Sequence, residues 1–191
     1  INALDISTKQ FLNYHNLPDQ ADSLINNQVN ALLEDQKGYL WIGTIQGLDR
    51  LDRRTNHYRH FQHDPNLSTT LSDDYITAIL EDSRGNIWIG TDTAGVDLYD
   101  PTFETFKHFR HSPVSTHSLS NDLVSVLMED RQGFIWVGTA NGMLDCLDPA
   151  SNRFEHFQLE TGNAVSQLKI RIDSLIQTRD GMIWVGTSYG L

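Results

Sequence analysis

The sequence predicts an all-β protein built from repeated four-stranded sheets, and three observations support this class. One eleven-residue pattern occurs four times, at residues 34–44, 81–91, 129–139 and 177–187. Its tryptophans are spaced 47, 48 and 48 residues apart and are Trp41, Trp88, Trp136 and Trp184. Each period also contains about four short apolar runs. Because one four-stranded sheet must stack on its copies to bury both faces, the period and the four runs together predict a β-propeller.

The first two strands of each repeat are predicted to form a hairpin, as the second repeat illustrates. Residues 75–80 are apolar and β-branched, and the polar turn after them ends in Gly85, which can adopt a positive φ. Residues 86–91 carry consecutive apolar side chains, as a strand covered on both faces does. We therefore expect the four tryptophans to pack between neighbouring blades. Structural turn glycines are expected at Gly38, Gly85, Gly133 and Gly181.

The outer two strands of each repeat are predicted from alternation and a turn signal. Residues 96–100 alternate apolar and polar side chains, which indicates the wetter, outer half of a blade. Pro101 turns the chain into a fourth strand over residues 105–109. The polar segments 63–74 and 111–122 are predicted to be the crossovers that lead to the next blade.

The phase of the repeats predicts how the chain is divided. Residues 1–5 match residues 48–52, so the sequence begins in the middle of a repeat and is expected to be a piece of a longer protein. The predicted divisions are outer strands over 1–24, blades over 25–71, 72–119 and 120–167, and inner strands over 168–191. The two half-blades either close a four-bladed ring or stay open. Because a four-bladed ring is strongly curved, we expect an open arc that associates with itself, including as a dimer that completes an eight-bladed ring.

Composition excludes several classes of partner and chemistry. The 25 acidic residues exceed the 14 basic ones and give a net charge of -11, which argues against a nucleic-acid partner. No apolar run approaches the roughly 18 residues of a membrane span, so any membrane contact is expected through other segments. Cys146 is the single cysteine and is expected to be an inert thiol. We expect no cofactor.

The acidic turns and the histidines are interpreted as structural. Paired carboxylates such as Glu81 and Asp82 recur one blade apart, so no two pairs converge as a general acid and base must. Turn capping is favoured for them, and a calcium site is the alternative. His60, His108 and His156 occupy one position in three successive fourth strands, which argues against a shared metal site.

The loops between second and third strands are the predicted ligand-binding positions. In a propeller these loops and the crossovers lie on one face around the central channel, where ligands usually bind. The loop residues differ between repeats that are otherwise alike, which indicates release from packing constraints. The candidate binding residues are Gln46, Asp92, Thr93, Asn141 and Tyr189 in the loops and Asp74 and Asp122 in the crossovers.

The full repeat, with Glu81-Asp82, Gly85, the segment 87–91 and Asp100-Pro101 in this order, resembles the two-component-regulator propeller repeat. Two departures are Gln177-Thr178 in place of Glu-Asp and Arg53 in place of proline. The resemblance implies a non-catalytic periplasmic sensor region of an inner-membrane receptor. It also implies a ligand such as an oligosaccharide, and a histidine kinase or diguanylate cyclase output outside this chain.

Two alternatives to the sensor stay open. One is a glycan-active propeller hydrolase or lyase, for which Asp173 and Tyr189 would be the candidate residues. The other is a purely structural propeller that sets the geometry of a dimer.

Overall fold

The computed structural model describes residues 1–159 and 170–190, which form antiparallel sheets arranged as successive blades. Three sheets have four strands each, hydrogen-bonded in chain order. Blade 1 contains β3 (Val29–Glu34), β4 (Tyr39–Thr44), β5 (Gly47–Asp52) and β6 (His57–Phe61). Blade 2 contains β7 (Ile76–Glu81), β8 (Ile87–Thr91), β9 (Val96–Asp100) and β10 (Thr105–Phe109). Blade 3 contains β11 (Val124–Glu129), β12 (Ile135–Thr139), β13 (Met143–Asp148) and β14 (Arg153–Gln158).

Two further sheets have only two strands each. The N-terminal half-blade consists of β1 (Asn2–Asp5) and β2 (Gln10–Asn13), and the C-terminal half-blade of β15 (Ile172–Gln177) and β16 (Ile183–Thr187). The two half-blades are separate sheets, so the chain is an open arc. The predicted all-β propeller fold is confirmed. The predicted division between residues 167 and 168 lies outside the described residues, as does Leu191.

The strands of blade 2 match the predicted ones closely, but their burial differs. The third and fourth strands coincide with the prediction, whereas the first begins at Ile76 and the second at Ile87. The predicted alternation of buried and exposed residues in the third strand is wrong, because Asp97 is buried. Its carboxylate is paired with His108 on the neighbouring strand, which replaces water as its partner.

The apolar cores lie between neighbouring blades. Trp41 of blade 1 is 1% exposed and meets Tyr99 of blade 2 edge to face, with ring centroids 5.1 Å apart. In the next gap, Trp88 shares a buried cluster with Leu147 and Phe154 of blade 3. These contacts bury both faces of blade 2, as the apolar second strand requires.

The two tryptophans nearer the carboxyl end are less buried. Trp136 is partly buried, and Trp184 is 50% exposed. Within the described residues Trp184 does not pack between two blades, so its predicted interblade packing stays a prediction. The described C-terminal half-blade has no third and fourth strands and no following blade, and these are the elements that cover Trp41 and Trp88.

The acidic pair of each hairpin turn makes two kinds of contact. In blade 2 the Asp82 Oδ1 atom accepts hydrogen bonds from the backbone N–H groups of Arg84 and Asn86, and Oδ2 accepts one from Trp88 Nε1 at 2.9 Å. The Glu81 carboxylate instead accepts the backbone N–H of Gln36, in the turn of blade 1. The aspartate therefore fixes the turn and the tryptophan, and the glutamate connects two blades.

The same connection is present between the later blades. The Glu129 carboxylate accepts the backbone N–H of Ser83 at 2.7 Å, and Gln177 Oε1 accepts that of Arg131 at 3.0 Å. Replacement of Glu by Gln in the last repeat therefore keeps the acceptor.

A glycine in each second strand allows the blades to approach closely. A Cβ atom on Gly90 would lie 2.7 Å from Val124 Cγ1 of blade 3, which is closer than two carbon atoms can pack. Gly43 and Gly138 stand in the same position, with a Cβ 2.6 Å from Ile76 Cγ2 and from Ile172 Cγ2 respectively. These glycines set the spacing of the first strands, which line the inner side of the arc.

Candidate ligand-binding face

The loops after the second strands and the crossovers before the first strands lie at one end of the blades, here called the channel face. One backbone hydrogen bond per repeat joins the two segments. Its donor and acceptor pairs are Ile45 N to Gln28 O, Asp92 N to Tyr75 O, Ala140 N to Leu123 O, and Ser188 N to Arg171 O. The sequence thus repeats one loop scaffold in four neighbouring positions.

A threonine and a glycine fix the shape of each loop. In blade 2 the Thr91 hydroxyl donates to Gly95 O at 2.9 Å, and Gly95 has a φ of 83°. A Cβ on Gly95 would lie 2.3 Å from the carbonyl oxygen of Phe109. The loop conformation therefore requires glycine there, while the residues between Thr91 and Gly95 are free to vary.

Four of the predicted ligand-binding residues occupy equivalent loop positions, and all four are exposed: Gln46, Thr93, Asn141 and Tyr189. Gln46 Oε1 accepts a hydrogen bond from Asn26 Nδ2 in the crossover at 2.9 Å. Thr93 donates to the Asp73 carboxylate from both its backbone N–H and its hydroxyl. Each of these two loops is thus oriented by a polar residue of its own crossover.

Asn141 and Tyr189 are held within their own loops. Asn141 Oδ1 accepts the Thr139 hydroxyl at 2.6 Å, and the Tyr189 backbone N–H donates to Thr187 Oγ1. The Tyr189 side chain is 60% exposed. The loops therefore present an amide, a hydroxyl, a second amide and a phenol at one repeated position.

Asp74 and Asp122, the predicted crossover residues, have structural partners. Asp74 Oδ1 accepts the backbone N–H of His63 at 2.7 Å, and Asp122 Oδ1 accepts that of His111 at 2.6 Å. Their own carbonyl oxygens accept the backbone N–H groups of Gly47 and Gly95 in the preceding blade. Both aspartates thus connect blades at the channel face, whereas the neighbouring Asp73 orients a loop.

The remaining charges of the channel face are mostly acidic. Asp92 is exposed beside Thr93, and Asp173 is paired with Arg171 at 2.5 Å between Oδ1 and Nε. An anionic ligand would meet repulsion from Asp73 and Asp92.

A buried Asp–His pair in each complete blade holds the crossover that leads into it. The three carboxylates are 0% exposed, and the distances from His Nδ1 to Asp Oδ1 are 2.6 Å, 2.7 Å and 2.7 Å for His60–Asp49, His108–Asp97 and His156–Asp145. The second carboxylate oxygen accepts a crossover N–H, from Ile25, Ser72 and Ser120 respectively. The histidines were expected to be structural, but the pairing was not predicted.

The titration of these groups follows from burial and hydrogen bonding. Burial opposes the charge of His60, but hydrogen bonds to Asp49 and to Ala21 O raise its pKa on balance. The hydrogen bond to Asp97 is the main cause that raises the pKa of His108. Burial is the main influence on the Asp49 carboxyl and raises its pKa. The hydrogen bonds from His60 and Ile25 act to lower this pKa, but burial outweighs them.

A large groove lies away from the channel face, on the open side of blade 3. It has a volume of about 590 Å³ and is lined by aromatic residues including Phe134, Trp136 and Phe157. Cys146 also lines it, and burial raises the pKa of this thiol to about 12. A thiol that stays protonated is a weak nucleophile.

Within residues 1–159 and 170–190 no three His, Cys, Asp or Glu side chains are placed to hold a metal ion. The same residues contain no helix long and apolar enough to cross a membrane.

Comparison with known families identifies the repeat. The family model described as two component regulator propeller matches residues 23–46, 70–93, 118–141 and 166–189. The chain belongs to the two component regulator propeller family. Each match contains the hairpin with its tryptophan and the start of the channel-face loop. No curated protein matches the chain.

Several solved structures have a similar fold. The extracellular domain of a putative hybrid two component system from B. thetaiotaomicron is 23% identical, with a TM-score of 0.73 over 85% of this chain and 22% of its own. A second such domain from the same organism is 22% identical, with a TM-score of 0.70 over 93% of this chain and 24% of its own. The chain thus spans about a quarter of the length of these two extracellular domains.

An enzyme is also similar in fold. Virginiamycin B lyase from Staphylococcus aureus is 12% identical, with a TM-score of 0.63 over 96% of this chain and 61% of its own. At these sequence identities the three structures establish the fold alone. The function is therefore argued from the residues of the channel face.

Proposed function

We propose that the chain is the ligand-recognition part of an extracytoplasmic sensor and that it binds an oligosaccharide at the channel face without chemical turnover. The observation that carries this proposal is the loop arrangement. One scaffold repeats in four neighbouring positions, while the exposed residue that it presents changes between Gln46, Thr93, Asn141 and Tyr189. A repeated scaffold that presents different exposed side chains is the arrangement of a recognition surface.

The chemistry of the channel face favours a neutral, hydroxyl-rich ligand. Amide and hydroxyl groups can donate to and accept from sugar hydroxyls, and the exposed phenol of Tyr189 offers an aromatic face for stacking. The carboxylates of Asp73 and Asp92 accept hydrogen bonds from hydroxyl groups but repel anions. A neutral oligosaccharide is therefore favoured over one that contains uronic acids.

The extracytoplasmic location and the receptor role are inferred from the family. Support comes from the two similar structures, which are extracellular domains of putative hybrid two component systems. In this proposal an inner-membrane anchor and a kinase or cyclase output belong to other parts of the protein.

Calorimetric titration with a panel of neutral and uronic-acid-containing oligosaccharides tests the proposal. We expect neutral members to bind and to be recovered intact by chromatography. Thr93→Ala should weaken binding about tenfold, because a lost hydrogen bond to a ligand costs on the order of 1.4 kcal/mol. Thr102→Ala is the matched control, because Thr102 is exposed in the turn between β9 and β10 at the opposite end of blade 2.

Three results would contradict the proposal. New products on the chromatogram would indicate an enzyme. Equal effects of Thr93→Ala and Thr102→Ala would place the ligand elsewhere. Absence of binding across the panel would favour the structural propeller that only sets dimer geometry.

A further inference from the structure

In blade 2 the buried Asp–His pair holds the crossover that leads into the blade at two positions. His108 Nδ1 lies 2.7 Å from Asp97 Oδ1, and Nε2 of the same ring lies 2.9 Å from the backbone oxygen of Ser68. Asp97 Oδ2 accepts the backbone N–H of Ser72 at 2.8 Å. Because Asp97 is fully buried, water does not compete for either of its partners. The pair therefore fixes the crossover at residues 68 and 72.

The second of these positions lies next to the residue that orients the channel-face loop. Asp73 follows Ser72 directly, and its Oδ2 atom accepts hydrogen bonds from the backbone N–H and the hydroxyl of Thr93. Thr93 is one of the predicted ligand-binding residues. Its position therefore depends on the crossover segment that Asp97 and His108 hold.

Blade 1 has the same connection with different residues. Nε2 of His60 lies 2.7 Å from a backbone oxygen of the crossover, and Asp49 Oδ2 accepts the backbone N–H of Ile25 at 2.8 Å. The next residue, Asn26, donates from Nδ2 to Gln46 Oε1 at 2.9 Å. In both blades a buried Asp–His pair is thus connected to a channel-face loop through two adjacent crossover residues.

The two hydrogen bonds of each imidazole ring depend on a proton. A neutral imidazole has one N–H, but both nitrogens of each ring face an oxygen atom here. One additional proton on the Asp–His pair supplies a donor for the second contact. Without it the single N–H stays with the buried carboxylate, because a hydrogen bond to an ionised acceptor is the stronger one. The crossover carbonyl then loses its donor.

The repeat also contains an uncharged version of this pair. In the N-terminal half-blade, Asn2 lies opposite Asn13 at the position that Asp97 and His108 occupy in blade 2. Strand pairing at this position therefore does not require charge. The Asp–His pair adds a contact to the crossover whose donor depends on a proton.

The groups that surround each ring act on this proton. Carboxylates favour it in both blades, and in blade 2 one guanidinium opposes it. These groups are Asp49 on β5 and Asp22 in the crossover for His60, and Asp97 on β9 and Arg110 after β10 for His108. The Tyr58 ring also stacks on His60 with centroids 6.1 Å apart, and burial raises the pKa of this phenol to about 12, so it stays neutral.

We propose that the additional proton on each of these two pairs fixes its crossover and thereby makes the positions of Gln46 and Thr93 at the channel face depend on pH. The structural part of this proposal stands without the proposed function. Its effect on ligand binding rests on the proposed function.

The direction of the effect follows from the raised pKa values of His60 and His108. Their stabilising contribution is fully present below the unfolded pKa of about 6.5 and is lost as pH rises through the folded pKa. We therefore expect the thermal midpoint to fall as pH rises above about 6.5. The affinity of the channel face for a neutral ligand should fall in the same direction.

Thermal unfolding over a pH series tests the structural part. The double variant Asp97→Asn/His108→Asn copies the Asn2–Asn13 pair and should show a smaller fall of the midpoint with rising pH than the wild type. His15→Asn, at an exposed histidine, is the control and should leave the wild-type profile unchanged. Parallel profiles for the wild type and the double variant would overturn the proposal.

A nuclear magnetic resonance titration of the wild-type chain needs no variant. The imidazoles of His60 and His108 should titrate above about pH 6.5, and the backbone amides of Ile25 and Ser72 should shift with the same midpoints. Imidazole pKa values at or below about 6.5, or amides that do not respond, would overturn the proposal whether or not the double variant folds.

Calorimetric titration with the tightest-binding neutral oligosaccharide of the panel, below and above about pH 6.5, tests the effect on binding. The wild type should bind more weakly at the higher pH, and the double variant should lose part of this dependence. Equal wild-type affinities at the two pH values would overturn the connection to the channel face. Absence of binding at both would contradict the proposed function, whereas the midpoints and the imidazole titration decide the structural part by themselves.

Discussion

Trp88 and Trp184 occupy the same motif position but differ in burial, and this difference predicts unequal costs of truncation. Trp88 is 1% exposed between blades 2 and 3, whereas Trp184 is 50% exposed. Trp88→Ala should lower the free energy of unfolding by about 3–5 kcal/mol, because the rigid blades cannot collapse into the cavity. The Asp82 Oδ2 atom keeps a donor, Asn86 Nδ2 at 2.8 Å, so no large penalty for an unsatisfied carboxylate is added.

Trp184→Ala is the matched control. Half of its side chain is already in water, so the loss should be about 1 kcal/mol, roughly half the value for full burial of a large apolar side chain. Urea unfolding followed by far-ultraviolet circular dichroism measures both, since the backbone dominates this signal. Equal losses would refute the reasoning, because burial between blades would then not decide the cost.

Three further predictions concern the blade spacing, the hairpin turn and the thiol. Gly90→Ala should lower the free energy of unfolding in urea by about 1–3 kcal/mol, because the new methyl group would overlap the next blade. Gly186→Ala should lower it by less than about 0.5 kcal/mol, because its Cβ would come close only to the Ser174 side chain, which can move, and would stay at ordinary contact distance from the Ser174 carbonyl. Burial acts to raise the pKa of Asp82, but its hydrogen bonds, led by the one from Trp88, lower it on balance. Its stabilising contribution is therefore present above about pH 4 and is lost as pH falls through the folded pKa, so Asp82→Asn should flatten the acid limb of the pH–stability curve. Cys146, with a pKa of about 12, should react with iodoacetamide at pH 8 on the order of 10³-fold more slowly than a free cysteine, and comparable rates would contradict its raised pKa.

The blades could be predicted from the repeats, because each strand and each turn is determined by residues that are close together in the sequence. The burial of a tryptophan was less predictable, because it depends on the strands that cover it. Trp184 has the same neighbours in sequence as Trp88, but in the part of the chain that the structure describes no outer strands or next blade cover it. The local pattern could not distinguish these two environments.

The polar contacts were predictable only in part. Capping by Asp82 follows from its place in a turn, but the partner of Glu81 lies in another blade. The Asp97–His108 pair was missed because its members stand eleven residues apart on different strands. The available signal was the recurrence of this spacing at Asp49–His60 and Asp145–His156. At the channel face the loop positions could be identified from the sequence, but the crossover partners of Gln46 and Thr93 required the structure.

The central claim is that ligand recognition takes place at the channel face. Amide hydrogen exchange, measured by mass spectrometry with and without the tightest-binding neutral oligosaccharide of the panel, tests it most directly. The account predicts slower exchange in the loops at residues 45–47, 92–95 and 140–142 and unchanged exchange in the opposite turns at residues 82–86 and 101–104. Protection confined to those turns, or to the groove around Trp136, would contradict it.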